Sequence, residues 1–551
     1  MTSYVQLASN QWDPVRKRSV VTVVANLGRV DQGATDQVAN LAQACLRYLG
    51  TPQTDPTDIP EATMSRPAGG AWVLDGMWRQ VGLDQIITGW TRPGPGRRKN
   101  MDRVERILFG MVADRCLAPS SKLAGAEWMT HDVAIAGMPD TVSDDECYRA
   151  MDWLAGAGDC FARQVYDSVA DLVNLEVDLV FFDTTSTYFE TETEDDPTPR
   201  DDYGRICDEE DAVTRVGFRT WGKSKDSRDD LPQIVVGMAV TREGIPIRVW
   251  SWPGNTSDSA LIRQARCELR DWTLSKVVWV ADRGFSSEKN RRELMRGGDG
   301  YILGEKLRSG SAEAQAALSR PGRYRTVTGN LQVKEVNIGS SDRFIVCFNP
   351  DEAVRDERTR TRLVARLEAM IDGSDEMTGT KRAELRGKIS TMAGLNRYLR
   401  VTATGLLRLD QAKITDEAGL DGKYLLRTSD PHLSADDIAR GYKQLLEVER
   451  GWRDMKTTLE LRPVYHHLEE RIRAHVVLCW LALLLIRVIE TRTGQTWNTI
   501  RHETQRLHKI TYDTPDGTIH THTRVTPTQQ QILTALHLDT PPRAAITPLT
   551  S

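Results

Sequence analysis

The chain has 551 residues, of which 40% are hydrophobic and 27% charged, the balance of a soluble globular protein with roughly two to four cores. A net charge of −5 excludes a uniformly basic nucleic-acid coat and leaves binding to local patches. Eight scattered cysteines without a CxxC pair exclude a disulfide framework or a zinc ribbon and point to a reduced compartment.

From the start, MTSYVQLASNQWDPVRKRS lacks the apolar centre of a signal peptide, so a cytoplasmic protein is expected. Alternation over 4–30 predicts a hairpin, 36–50 reads as a helix, and the Pro-, Thr- and Asp-rich stretch 51–70 reads as a linker. The basic stretch WTRPGPGRRKN (90–100) follows. It belongs to a cluster of Arg92, Arg97, Arg98, Lys99, Arg103 and Arg106 that either holds DNA phosphates or is a solvated linker. Helical periodicity then runs to about 175, with Ser120 or Ser121 capping the helix that carries Lys122. A strand-rich block comes next, at 178–183, 233–241, 245–252, 276–282 and 301–305, with helices at 258–271 and 286–297. The acidic stretch 190–211 reads as a solvated loop, and 308–425 alternates strand-like and polar helical segments. A strand at 423–430 precedes a long helical pattern from about 435 to 492, broken near Pro463. Within it VVLCWLALLLI (476–486) falls short of the roughly 20 residues that span a bilayer and reads as a buried core helix. A helix, a hairpin and the helical TPTQQQILTALHL close the chain.

Three places carry chemistry. In LVFFDTTSTYFE (179–190) a buried strand is expected to end on Asp183. In VVWVADRGFSS (277–287) a second ends on Asp282, with Gly284 for a tight turn and Ser286 or Ser287 as the next cap. Ligand sites in α/β sheets lie at the carboxyl ends of strands. Two carboxylates held together repel unless a cation stands between them, and a divalent ion with oxygen ligands is the simplest one. The plain alternative is that each aspartate caps a turn. The third place is YKQLLEVERGWRDMK (442–456). Read as one helix, it sets Tyr442, Leu445, Glu449, Arg453 and Lys456 on one face, and Glu447 with Lys443, Arg450 and Asp454 on a solvated one. Trp452 reads as core, with stacking on an unpaired base as the alternative. His466 and His467 read as structural or as phosphate contacts; His520 and His522 share a strand face without a further ligand nearby.

Together these stretches resemble insertion-sequence transposases of the DDE class. The nearest group is the insertion-sequence-four superfamily, marked by a Tyr-x2-Arg-x3-Glu-x6-Lys signature that appears here as Tyr442, Leu445, Glu449 and Lys456, with leucine at the arginine position. The likeness extends through GKSKDSRDDLPQIVVGMAV (222–240), GIPIRVWSWPGNTSD (244–258), VADRGF (280–285) and LRPVYHHLEERIRAHV (461–476). It implies an α/β fold: a ribonuclease-H-like catalytic core interrupted by a β-rich insertion, behind a mostly helical N-terminal region. The implied parts are 1–70, an N-terminal hairpin, helix and linker; 71–175, helical and DNA-end-binding; 176–307, the first part of the core; 308–425, the insertion; 426–495, the rest of the core with the catalytic helix; and 496–551, an extension.

The resemblance further implies that Asp183, Asp282 and Glu449 are the catalytic acids and hold two Mg²⁺ ions, with Mn²⁺ able to substitute. Tyr442, Arg453 and Lys456 would contact DNA beside them, and Arg97, Arg98 and Lys99 farther out. The implied partners are double-stranded transposon ends and target DNA, and the implied assembly is a nucleoid-associated homodimer without a membrane. Two-metal phosphoryl transfer needs this kind of donor set. Two other readings stay open: a metal-dependent nuclease of the same fold that cuts without joining, and a domesticated, non-catalytic DNA-binding protein.

Overall fold

In a computed structural model, residues 4–14, 17–29, 38, 41, 42, 45, 61–90, 98–173, 177–270, 272, 277–514 and 517–548 are described. The helix expected at 36–50 lies largely outside them. The chain divides into two compact units, one of 1–65, 509–522 and 542–551, the other of 66–508 and 523–541.

The first unit holds the expected hairpin, Tyr4–Asp13 against Arg18–Arg29, with register shifts after Val5 and Leu7. It also contains most of a four-stranded sheet in the order Ala544–Pro548, Gly517–His522, His508–Thr514, Ala62–Pro67. The strand Ala62–Pro67 and the start of the helix Gly69–Gln80 lie where the sequence suggested a linker. Their partner strand is more than four hundred residues away, so no local signal announces them.

The second unit is built on one nine-stranded sheet. Its strands are β1 (Leu179–Tyr188), β2 (Gln233–Val240), β3 (Pro246–Pro253), β4 (Val278–Ala281), β5 (Gly300–Glu305), β6 (Arg325–Thr328), β7 (Leu331–Val336), β8 (Arg343–Phe348) and β9 (Lys423–Thr428). The spatial order is β6-β7-β8-β9-β5-β4-β1-β2-β3. β1 runs antiparallel to β2 and parallel to β4, and β4 runs parallel to β5. Every residue of β2 and β3 is buried, which requires cover on both faces and explains their mostly apolar sequences, interrupted by the buried Gln233, Arg248 and Ser251.

Alternation divides the central strands between two cores. Leu179, Phe181, Ile234, Val236, Met238, Val278, Val280 and Ile302 belong to the larger core. Val180, Phe182, Val235, Ala239, Trp279, Ala281 and Leu303 belong to the smaller one.

The helices used below are α1 (Arg98–Leu117), α2 (Lys122–Glu127), α3 (Asp144–Val173), α4 (Ala435–Lys443), α5 (Leu446–Thr457) and α6 (Glu469–Thr493). Ser121 caps α2 by accepting from the Ala124 N–H. The long pattern expected from 435 to 492 is thus three helices, with a turn at Gln444–Leu445 as well as the break around Pro463. Helix α6 is buried along most of its length against α1, α3 and β3.

Residues 308–425, expected to be β-rich, are mixed. Their strands β6–β8 extend the main sheet, while the longest elements are the helices Pro350–Ile371 and Gly379–Ser390. Asn349 caps the first of these with proline directly behind it, a strong local start signal.

Candidate active site

The strand β1 does not stop at Asp183. It continues through Thr184, Thr185, Ser186 and Thr187, all buried, to Tyr188, because β2 pairs with it as far as Tyr188↔Gln233. β-branched threonines suit such a strand. The strand that ends here is its parallel neighbour. Pairing of β1 with β4 runs Leu179↔Val278, Val180↔Trp279 and Phe181↔Val280, and β4 stops at Ala281. The same register, carried two residues on, sets Asp183 and Asp282 level with each other on adjacent chains, which lie about 4.8 Å apart in a sheet. Period 2 places both on the face of Phe181 and Val280, the side of the larger core.

Asp282 also caps the following turn, its Oδ1 accepting from the Gly284 N–H at 2.7 Å. The turn-cap reading of this residue therefore holds. Asp183 is half-buried, with the Lys225 Nζ 4.0 Å from its Oδ1. Lys225 is held in turn by the Thr184 carbonyl, by the Thr184 hydroxyl at 2.7 Å and, through its N–H, by Ser186 Oγ at 2.9 Å.

Helix α5 crosses the same face. Val448, Trp452 and Met455 are buried in the larger core, and Gly451 lies against Met238. Trp452 is core, and its indole N–H has no partner among the described residues. Glu449 and Arg453 are exposed one turn apart.

Glu447 lies on the opposite flank. That flank is not solvated as expected: Arg450 pairs with Glu490 at 2.9 Å, and Asp454 pairs at 2.7 Å with Arg487, which is 2% exposed. Both partners come from α6, whose buried cation needs acids.

Tyr442 ends α4, beyond the turn from Glu449, so the two do not share one straight helix. Its ring stacks on Tyr424 with centroids 5.8 Å apart. Its hydroxyl reaches over Gly304 of β5, where a Cβ would lie 2.4 Å from Oη and 3.2 Å from the Arg283 nitrogen. Burial, helped by the charges of Asp282 and Glu449, raises the Tyr442 hydroxyl pKa, so it stays protonated.

Lys456 is not free to meet a ligand unopposed. Its Nζ bonds both carboxylate oxygens of Asp226, at 2.9 and 3.1 Å, and Arg462 reaches the same carboxylate at 2.9 Å. Burial lowers the Lys456 pKa, and Asp226 partly restores it. Arg462 and Arg228 also lie over the Tyr188 ring, at 4.8 and 5.0 Å. Lys225 and Asp226 lie beside these residues, and sequence reasoning did not single them out. Their signal was a run of alternating charges, GKSKDSRDD, placed shortly before a mostly apolar strand.

The basic cluster divides. Arg103 is bound to Glu146 at 2.7 Å, and Arg106, 7% exposed, is held by Glu105 and by Asp75 at 2.7 Å, so neither serves as an open phosphate contact. Arg97 lies outside the described residues, as does Arg92; Arg98 and Lys99 open α1. His466 is buried between Tyr148 and His475, and His467 Nδ1 lies 3.4 Å from Arg219. His520 Nδ1 is 3.2 Å from the Thr511 hydroxyl, and His522 Nδ1 2.8 Å from the Pro542 carbonyl.

Among the described residues no three His, Cys, Asp or Glu side chains gather closely enough to enclose a metal ion. The fixed part of a donor set is the Asp183–Asp282 pair. Its hard oxygens at adjacent strand positions, with an ammonium already drawn to one of them, fit a divalent cation.

The family described as the transposase DDE domain matches residues 206–485, just over half of the chain. No curated protein matches. Among solved structures the chain is similar to a piggyBac transposase synaptic complex with hairpin DNA, determined by cryo-EM. The identity is 10%, over 79% of this chain and 76% of that one, with a TM-score of 0.36, too loose to align a site.

Proposed function

The chain belongs to the transposase DDE domain family and is a DNA transposase, and from that premise we propose that Asp183, Asp282 and Glu449 are its three acids. The observation that carries this reading is the shared level of Asp183 and Asp282 on neighbouring parallel strands, on the face that α5 covers. Glu449, exposed on that helix, would complete the set. The family uses divalent metal ions. We assign Mg²⁺, two ions, with Mn²⁺ able to substitute, since all three ligands are carboxylates. A mixed sheet with one acid on an interior strand and the second just past its parallel neighbour supports a ribonuclease-H-like core. Tyr442, Glu449 and Lys456 support membership of the insertion-sequence-four superfamily.

Bound divalent ions supply the charge that activates the attacking oxygen and stabilises the leaving one. The side chains do the rest. Lys225, tied to Thr184, keeps an ammonium at Asp183 that a scissile phosphate meets. Tyr442, protonated, donates to a phosphate oxygen near Asp282. Arg453 extends the cationic flank along the DNA, and Lys456 joins it when phosphate competes with Asp226. Arg97, Arg98 and Lys99 are assigned to more distant end phosphates. The partners are transposon ends and target DNA, held by a homodimer.

The test is a gel-shift assay paired with a cleavage assay on Asp183→Asn and Asp282→Asn. Each variant is expected to bind end DNA and to lose cleavage, because a lost metal ligand removes several kcal/mol of transition-state stabilisation. Normal cleavage by either variant overturns the metal-site reading.

A further inference from the structure

A cavity of about 190 Å³ lies between the helices α1–α3 and the loop 458–468, which joins α5 to α6. Arg115, Ser120, Lys122, Tyr148, His466 and His475 line it. Lys122 is only 5% exposed, and its amine has no hydrogen-bond partner among the described residues. Arg115, 3% exposed, is already engaged by Asp114 at 3.0 Å, by the Ser120 carbonyl and by the carbonyls of Leu459 and Glu460. Asp114 also accepts from Ser120 Oγ at 2.8 Å, so the one buried carboxylate here is taken.

The imidazoles add no opposing charge. Burial pushes His466 down to about 3 and His475 well below its ordinary range, and the Nδ1 of His475 has no partner among the described residues. Burial lowers Lys122 only to about 8, which leaves it mostly protonated at neutral pH. Two buried cations thus face one committed carboxylate, Asp114, and the exposed Glu460 at the rim, in a wall rich in hydroxyl groups. A buried charge in that state calls for a counter-ion with several acceptor oxygens.

We infer that this cavity binds a phosphate group and, resting on the transposase reading above, that its ligand is a backbone phosphate of the bound DNA. The rim favours DNA over a free anion. Leu123 and Tyr465, 69% and 64% exposed, also line the cavity, and an aromatic ring beside a cationic floor suits a nucleotide better than a bare ion. The same loop carries Arg462, which shares Asp226 with Lys456, so a strand leaving the acids along that loop passes the cavity mouth.

The experiment uses the full chain. Inorganic phosphate is titrated calorimetrically at constant ionic strength, and a mixed-sequence duplex is bound over a range of salt. Wild type is expected to bind phosphate saturably and Lys122→Met about tenfold more weakly or worse. The salt slope for the duplex should fall by about one unit in Lys122→Met. Leu123→Glu, on the exposed rim, keeps the fold whatever Lys122→Met does and should weaken both.

Absent phosphate binding by wild type, or undiminished binding by Lys122→Met, overturns the site. If Lys122→Met does not fold, undiminished binding by Leu123→Glu does so. Phosphate binding that depends on Lys122 alongside an unchanged duplex slope overturns the assignment to DNA. None of these outcomes touches the catalytic reading, since neither titration involves Asp183, Asp282 or Glu449.

Discussion

Replacing Gly304 by alanine tests the packing that sets Tyr442 beside the acids. Gly304 sits in β5 with an ordinary strand backbone, where Gly→Ala normally stabilises by about 0.4–1 kcal/mol through the unfolded chain. Here the new Cβ would lie 2.4 Å from Tyr442 Oη, so one of them must move by roughly 1 Å to reach normal contact. The Arg283 nitrogen at 3.2 Å and the stack on Tyr424 leave little room. Overpacking of this kind costs about 1–3 kcal/mol, so the net effect is a loss of about 1–2 kcal/mol. Urea denaturation of Gly304→Ala, Tyr442→Phe and the double variant measures it. With Oη gone the alanine fits better, and the coupling should recover about 1–2 kcal/mol in the double variant. Cleavage should fall about 100-fold in Gly304→Ala, because a reacting group displaced by about 1 Å loses that much. A stabilised Gly304→Ala, or strictly additive effects, would refute the placement of Tyr442.

Glu449→Gln is expected to abolish cleavage in Mg²⁺, whereas Glu447→Gln, on the flank that faces α6, should stay within a few-fold of wild type in the same assay; the reverse result removes Glu449 from the site. Lys225→Met should slow cleavage by about 100-fold with end binding intact, the usual effect of deleting one charge that stabilises the transition state; an unchanged rate means that Lys225 only packs against β1. His466 makes the fold acid-labile. Its folded pKa of about 3 lies below its unfolded value, so between about 3 and 6.5 the unfolded chain binds the extra proton and stability falls as pH drops. At pH 5 this amounts to about 2 kcal/mol, and His466→Gln should flatten the dependence of the denaturation midpoint on pH by that amount; parallel curves would contradict a buried neutral imidazole.

The two aspartates were legible because each follows a run of apolar residues that only a strand buried on both faces supports. The level at which they meet was not, since register depends on which strands pair, and β1 and β4 lie about a hundred residues apart. The threonines after Asp183 looked like a strand end because they are polar. Pairing with β2 buries them, and β-branching suits them to it. Treating 442–456 as one helix failed at Gln444–Leu445, where the chain turns without glycine or proline to announce it. The flank of Glu447 looked solvated because its charges alternate, yet their partners sit on α6. Arg103 and Arg106 misled for the same reason: a local count of charges cannot see Glu146 or Asp75.

The burial of α6 has a consequence for the order in which the chain is made. Taken alone, Glu469–Thr493 is long and apolar enough to cross a membrane, though 89% of its most apolar window is buried in the fold. Its beds α1, α3 and β3 all precede it, and domains form from the N-terminus as synthesis proceeds. The acid that receives Arg487, Asp454, has also been made by then. At the centre of a bilayer that arginine would cost about 2.5–3.5 kcal/mol, whereas here it meets two carboxylates. A circular permutant beginning at α6 would present the same segment with Glu490 but with neither Asp454 nor the beds α1, α3 and β3 yet synthesised, leaving a nascent chain that insertion machinery can read as a membrane span.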